Sequence, residues 1–89
     1  MQDWTDLYED ERRDIENKLM KALSSLGIKG AVTRWNMPAK PPHWQLIIQS
    51  SWCTDKTHQA VTIVLEQAMA RAGIQAPRNG IILSGPPEN

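Results

Sequence analysis

One thiol, two imidazoles and ten carboxylates are the groups in this sequence with chemistry to offer. Cys53 stands two residues before Asp55 and five before His58, with Thr54 between them as an apparent helix start. A helix dipole lowers the pKa of a thiol at its N-terminus, so a thiolate, a base and an orienting carboxylate can be written from these three residues. The spacing argues against that triad. Five residues along a helix turn through about 500°, so His58 and the helix start do not share a face. A free cysteine at a strand end is more commonly a small buried apolar group, and that is the reading favoured for Cys53.

Other chemistries find less. A closed zinc site takes four Cys or His ligands, and His43, Cys53 and His58 are all the sequence holds. Asp10 and Asp14 lie one helical turn apart, but Arg12, Arg13 and Lys18 stand beside them as pairing partners. Neither Gly27-Ile-Lys-Gly30 nor Ser84-Gly-Pro-Pro87 leads into a helix N-terminus, which phosphate-cradling loops require. Pro38-Ala-Lys-Pro41 matches a PxxP pattern but is better explained as a rigid hairpin loop. The expectation is a protein without cofactor, metal site or catalytic set.

Composition bounds the remaining classes. Hydrophobic residues are 40% of the 89 and charged residues 22%, the balance of a small globular domain and not of a disordered chain. No apolar run reaches the ~18–20 residues that cross a bilayer, and the acidic start is unlike a signal peptide. The single Cys53 allows no internal disulfide and suits a reducing cytoplasm. Basic and acidic residues cancel, yet residues 1–20 hold seven acids against three bases, and residues 21–89 hold the reverse. A neutral whole disfavours sequence-blind nucleic-acid binding, while the polarity leaves room for a local anion-facing patch.

The elements that must position these groups follow from periodicity. A first helix is predicted over residues 4–26, capped by Asp3, with Ile15, Leu19, Leu23 and Leu26 as its inward stripe. Gly27 followed by Ile28 stops it. A second helix is predicted over 55–72, capped by Thr54. Val61, Val64, Leu65, Ala68 and Ala72 form its core face, and Gly73 and Ile74 repeat the same stop. Ala60, Ile63 and Met69 widen that face beyond the ~100° stripe one core needs.

Strands are predicted over 31–36, 43–52 and 80–84. In the second, Trp44, Leu46, Ile48, Ser50 and Trp52 alternate with His43, Gln45, Ile47, Gln49 and Ser51, which describes one buried and one polar face. The proline-rich segment 37–42 joins the first two strands as an antiparallel pair, bringing Trp35 near Trp44. The fold class is therefore α+β, an α-β-β-α-β two-layer sandwich. Two helices cover one face of a small, mainly antiparallel three-stranded sheet, in a single domain over 1–84 with a flexible tail over 85–89.

Two surfaces remain for function. Trp4, Tyr8, Ile47, Ile63 and Ile82 are candidate interface residues, and a narrow sheet with two edges invites pairing with a second copy. Lys29, Arg34, Lys40, His43, Gln45, Gln49 and Arg78 are candidate contacts for an anion or nucleic acid on the polar sheet face and its loops. That face lacks the aromatic platform on which single strands stack. The expectation is a small non-catalytic cytoplasmic protein that forms a homodimer and binds a protein partner not readable here. A nucleic-acid module is the alternative, and a thiol enzyme centred on Cys53 the third reading.

Overall fold

The computed structural model of the chain describes residues 4–40, 42–77 and 79–86. Its elements run α1 (Glu9–Ser25), β1 (Val32–Asn36), β2 (Gln45–Gln49), a 3-10 turn (Ser51–Cys53), α2 (His58–Ala72) and β3 (Ile81–Ser84). The strands form one sheet in the order β1-β2-β3. β1 and β2 are antiparallel, with Arg34 opposite Ile47 and Trp35 opposite Leu46. β2 and β3 are parallel, with Leu46 beside Ile81 and Ile48 beside Leu83. The sheet is therefore mixed, one antiparallel and one parallel pair, within the expected α+β arrangement of two helices and three strands. α2 carries the chain back along the sheet, so β3 sets out from the same end as β2 and can pair with it only in parallel.

α1 begins five residues later than its periodicity suggests. In a helix from Trp4, the Trp4 carbonyl would accept from Tyr8 N–H; here it accepts from Trp44 N–H on the hairpin at 3.1 Å. Tyr8 N–H is taken by the Glu11 carboxylate at 3.1 Å, which starts the helix at Glu9. Asp3, the expected cap, lies outside the described residues. The stop is as expected. Gly27 adopts a φ of +90° while Ile28 N–H returns to Leu23 C=O and Gly27 N–H to Ser24 C=O, a Schellman closure with Ile28 buried beneath it.

β2 and α2 also meet differently. The strand ends at Gln49, because Ser50 Oγ accepts from Trp52 N–H and the chain turns through Ser51–Cys53. Thr54 is left in helical backbone geometry, which a cap cannot have, and the cap passes to Thr57. Its Oγ1 accepts from Ala60 N–H at 3.1 Å, so α2 starts at His58. Trp52 consequently leaves the strand alternation and lies half-buried, with the Lys56 ammonium 5.2 Å from its ring.

The core lies between the helix pair and one sheet face. Ile15, Leu19, Ala22 and Leu23 of α1 and Ala68 of α2 meet Leu46 and Ile48 of β2 and Ile81 and Leu83 of β3. Trp4 and Leu7 close the end of this layer from the segment before α1. The Trp4 ring packs on Trp35 at 5.7 Å, and Trp35 on Trp44 at 6.4 Å in an edge-on contact, so the expected approach of Trp35 to Trp44 is present. Of the expected tail, Gly85 is half-buried and Pro86 exposed, and residues 87–89 lie outside the described set.

Candidate interaction surface

The thiol is a core group. Cys53 ends the 3-10 turn, is buried, and has its pKa pushed up by that burial. The lowering expected from a helix N-terminus has no basis, since α2 begins five residues further on, at His58. Asp55 is exposed and pairs with Lys56 at 3.5 Å, and His58 is exposed at the start of α2. Among the described residues, no three His, Cys, Asp or Glu side chains gather into a set able to hold a metal ion. The acidic residues of α1 are occupied locally. Asp14 pairs with Lys18 at 3.0 Å, Glu9 with Arg13 at 3.3 Å, and Asp10 accepts from Glu11 N–H. Glu16 accepts from the Thr33 hydroxyl, tying α1 to β1.

The outer sheet face carries Val32, Arg34 and Asn36 from β1, Gln45, Ile47 and Gln49 from β2, and Ile82 and Ser84 from β3. It holds no acid, and Arg34 is its one cation. Asn36 Nδ2 donates to Gln45 Oε1 at 3.4 Å, and Gln45 Nε2 to Asn79 C=O at 3.3 Å, a short line of amides across the sheet. Of the other expected anion contacts, Lys29 and Lys40 are exposed on loops. His43 precedes β2 with its Nδ1 3.0 Å from Trp44 C=O, and Arg78 lies outside the described residues. The sheet thus brings Arg34, Gln45 and Gln49 together and leaves the rest around it.

The expected interface residues separate. Trp4 is fully buried and is withdrawn from that set, because its ring fills the end of the core and packs on Trp35. Tyr8 is exposed at the start of α1, and Ile63 is 47% exposed on the outer side of α2 among Gln59, Glu66 and Gln67. Only Ile47 and Ile82 come together, as register partners on the outer sheet face.

Two features escape the sequence reading. The first is Arg12. Its guanidinium lies 4.1 Å from the Trp44 ring centre, and its Nη1 donates to Leu7 C=O at 2.7 Å, so it clamps the entry segment to the hairpin. A shallow cavity of about 280 Å³ between Glu9, Arg13, Glu16 and the Trp35 and Trp44 rings surrounds it.

The second is a groove of about 350 Å³ between α2 and β3, lined by His58, Val61, Thr62 and Leu65 on one side and Asn79 and Ile81–Leu83 on the other. Three consecutive strand residues line one groove only when it runs along the strand's edge, since alternate side chains point to opposite faces. β3 is the outermost strand on that side. Among the described residues, none that lines it is Asp, Glu, Lys or Arg. The signal in the sequence was the uncharged run Ile81-Ile-Leu-Ser84, set against the Arg34 of the other edge strand; which strand takes which edge was not readable.

No helix among the described residues is long and apolar enough to cross a membrane. No family model, no curated protein and no solved structure matches this chain.

Proposed function

We propose that this protein is a non-catalytic interaction module that self-associates as a homodimer through the β3 side of its sheet. The observation carrying this reading is the groove between α2 and β3, free of charged side chains among the described residues, with Ile82 still 37% exposed and Ile47 beside it. α2 supports it. Ala68 is that helix's only fully buried residue, while Val61, Val64, Leu65 and Met69 keep part of their surface open to solvent. Apolar surface left at a groove of this kind is what association removes from water, at about 25 cal/mol per Å². Burial suits a structural role for Cys53, and a lone unpaired cysteine suits a reducing compartment such as the cytoplasm.

Sedimentation equilibrium from micromolar to millimolar protein tests this. A mass rising toward twice 10.1 kDa is expected, and a 10.1 kDa species throughout ends the reading. A second reading, phosphate or nucleic-acid binding on the outer sheet face, has the acid-free surface around Arg34 in its favour. Against it, Trp35 and Trp44 are packed at the Trp cluster and no aromatic lies on that face. An electrophoretic shift that fades with added salt would promote it over the first.

A further inference from the structure

The self-association proposed above leaves open how two copies meet, and the backbone of β3 addresses that. In the parallel ladder Leu46 N–H donates to Gly80 C=O at 2.8 Å, and Ser50 N–H to Ser84 C=O at 3.0 Å. With Leu46 in register with Ile81 and Ile48 with Leu83, the peptide groups of Gly80, Ile82 and Ser84 face β2. Those of Ile81 and Leu83 then point the other way, toward the free edge and the groove. Both residues are nearly buried, so two donors and two acceptors stand at an apolar border with no strand beside them among the described residues.

The two edges of the sheet differ in protection. β1 carries Arg34 within the strand, a charge that discourages edge pairing, while each edge strand has a proline two residues beyond its end, Pro38 and Pro86. β3 reads Ile81-Ile82-Leu83-Ser84, without charge. Resting on the self-association reading, we infer that two copies join by antiparallel pairing of β3 with β3 about a twofold axis, giving one continuous six-stranded sheet. Ile81 of each copy exchanges hydrogen bonds with Leu83 of the other, and Ile82 faces its own counterpart at the axis as a non-hydrogen-bonded pair.

Charge and hydrogen-bonding complementarity argue for a second copy as the occupant. Pairing β3 with its own copy brings no like charges together, since Ile81–Ser84 carries none, whereas a charged segment at that edge finds no opposite charge among the described groove residues. The edge needs an uncharged extended segment offering donors and acceptors at alternate residues, and β3 itself is one.

The test uses the full chain with Cys53 replaced by alanine, adding Ile82→Cys in one variant and Ile63→Cys in another. Cβ atoms of a non-hydrogen-bonded antiparallel pair approach to ~4.5–5.5 Å, near disulfide reach, so mild oxidation is expected to cross-link Ile82→Cys into a dimer and leave Ile63→Cys mostly monomeric. In the unmodified protein, Ile81 and Leu83 amides should exchange at least ~10-fold more slowly at millimolar than at micromolar concentration. Ile82→Lys, at a position exposed enough to keep the monomer folded, sets two ammonium groups at the axis and is expected to weaken association at least ~10-fold; Ile82→Thr should retain it. A dimer by sedimentation whose β3 amides stay unprotected and whose Ile82→Cys variant does not cross-link overturns the pairing and leaves self-association standing. A chain monomeric at every concentration overturns both.

Discussion

α1 and α2 lie side by side over the same sheet, yet they use their sequences differently. α1 is mostly polar and buries Ile15, Leu19, Ala22 and Leu23 of its few apolar side chains, with Met20 half-buried beside them. α2 is richer in Val, Ile, Leu, Ala and Met, and buries only Ala68 in full. Position explains the contrast. α1 lies over the hairpin in its first half, as the Glu16–Thr33 and Arg12–Trp44 contacts record, and against α2 in its second, where Ala22 stands near Ala72. α2 lies along β3, where the sheet stops, so part of its apolar arc overhangs the groove. The first helix is fitted to the core of one chain; the second carries apolar surface beyond what that core consumes.

The contrast is broken most directly by truncating one leucine in each helix. Leu23→Ala leaves a cavity in the closed part of the core and should cost ~2–5 kcal/mol of unfolding free energy in urea titrations. Leu65→Ala, at a half-buried site on the groove, should cost less than half as much in dilute protein and show its main effect on self-association. Equal losses at micromolar concentration would mean that α2 is as tightly packed as α1 and that the overhang is no spare surface.

A smaller effect sharpens the same comparison from the inside. Ala68 is where α2 comes closest to the core, and its side chain is wholly enclosed. Ala68→Leu should lift the helix off its neighbours at a cost of ~1–3 kcal/mol. The same enlargement at Ala70, exposed on the outer side, should stay within about 0.5 kcal/mol. Caps come next. Thr57→Ala removes the Oγ1 acceptor for Ala60 N–H and should cost ~1 kcal/mol, while Glu11→Ala, an exposed carboxylate on Tyr8 N–H, should cost about half of that.

What the sequence made legible follows from how local each signal is. The Gly27-Ile28 and Gly73-Ile74 stops are closed by atoms within six residues, and both were readable. The hairpin was readable from alternation in residues 45–49 and from the prolines between its strands. The helix starts were not. Trp4 has a good helical context, but its carbonyl is claimed by Trp44, forty residues away in sequence. Thr54 and Thr57 are both suitable caps, and the choice was made by the Ser50 side chain drawing the chain into a 3-10 turn. The groove was the least visible feature, because β3's place at the edge depends on which neighbour β2 accepts. Exposed Tyr8 and Ile63 looked like partners of Ile47 and Ile82 only because a linear chain does not say which apolar residues share a side.

Cys53 supplies the smallest expected effect, and it concerns the junction that leads into α2. Burial raises the thiol pKa in the folded state, whereas the unfolded chain ionises near the ordinary value of about 8.5. Between those two pH values the unfolded chain has released a proton that the folded one retains. Unfolding is therefore increasingly favoured as pH rises through that window, and the contribution of the thiol to stability, complete below it, is lost across it. Every other ionisable group is shared by the Cys53→Ala variant, so the difference between the two stability curves isolates the thiol. That difference should be constant below about pH 8 and should shift steadily against the unmodified protein above about pH 9. Iodoacetamide should modify Cys53 slowly in native protein and quickly in urea, with the same ordering at each pH. A flat difference curve together with fast native alkylation would place the thiol in contact with solvent. It would also reopen the region between β2 and α2 as a site of chemistry, and no longer as the closed shoulder against which α2 begins.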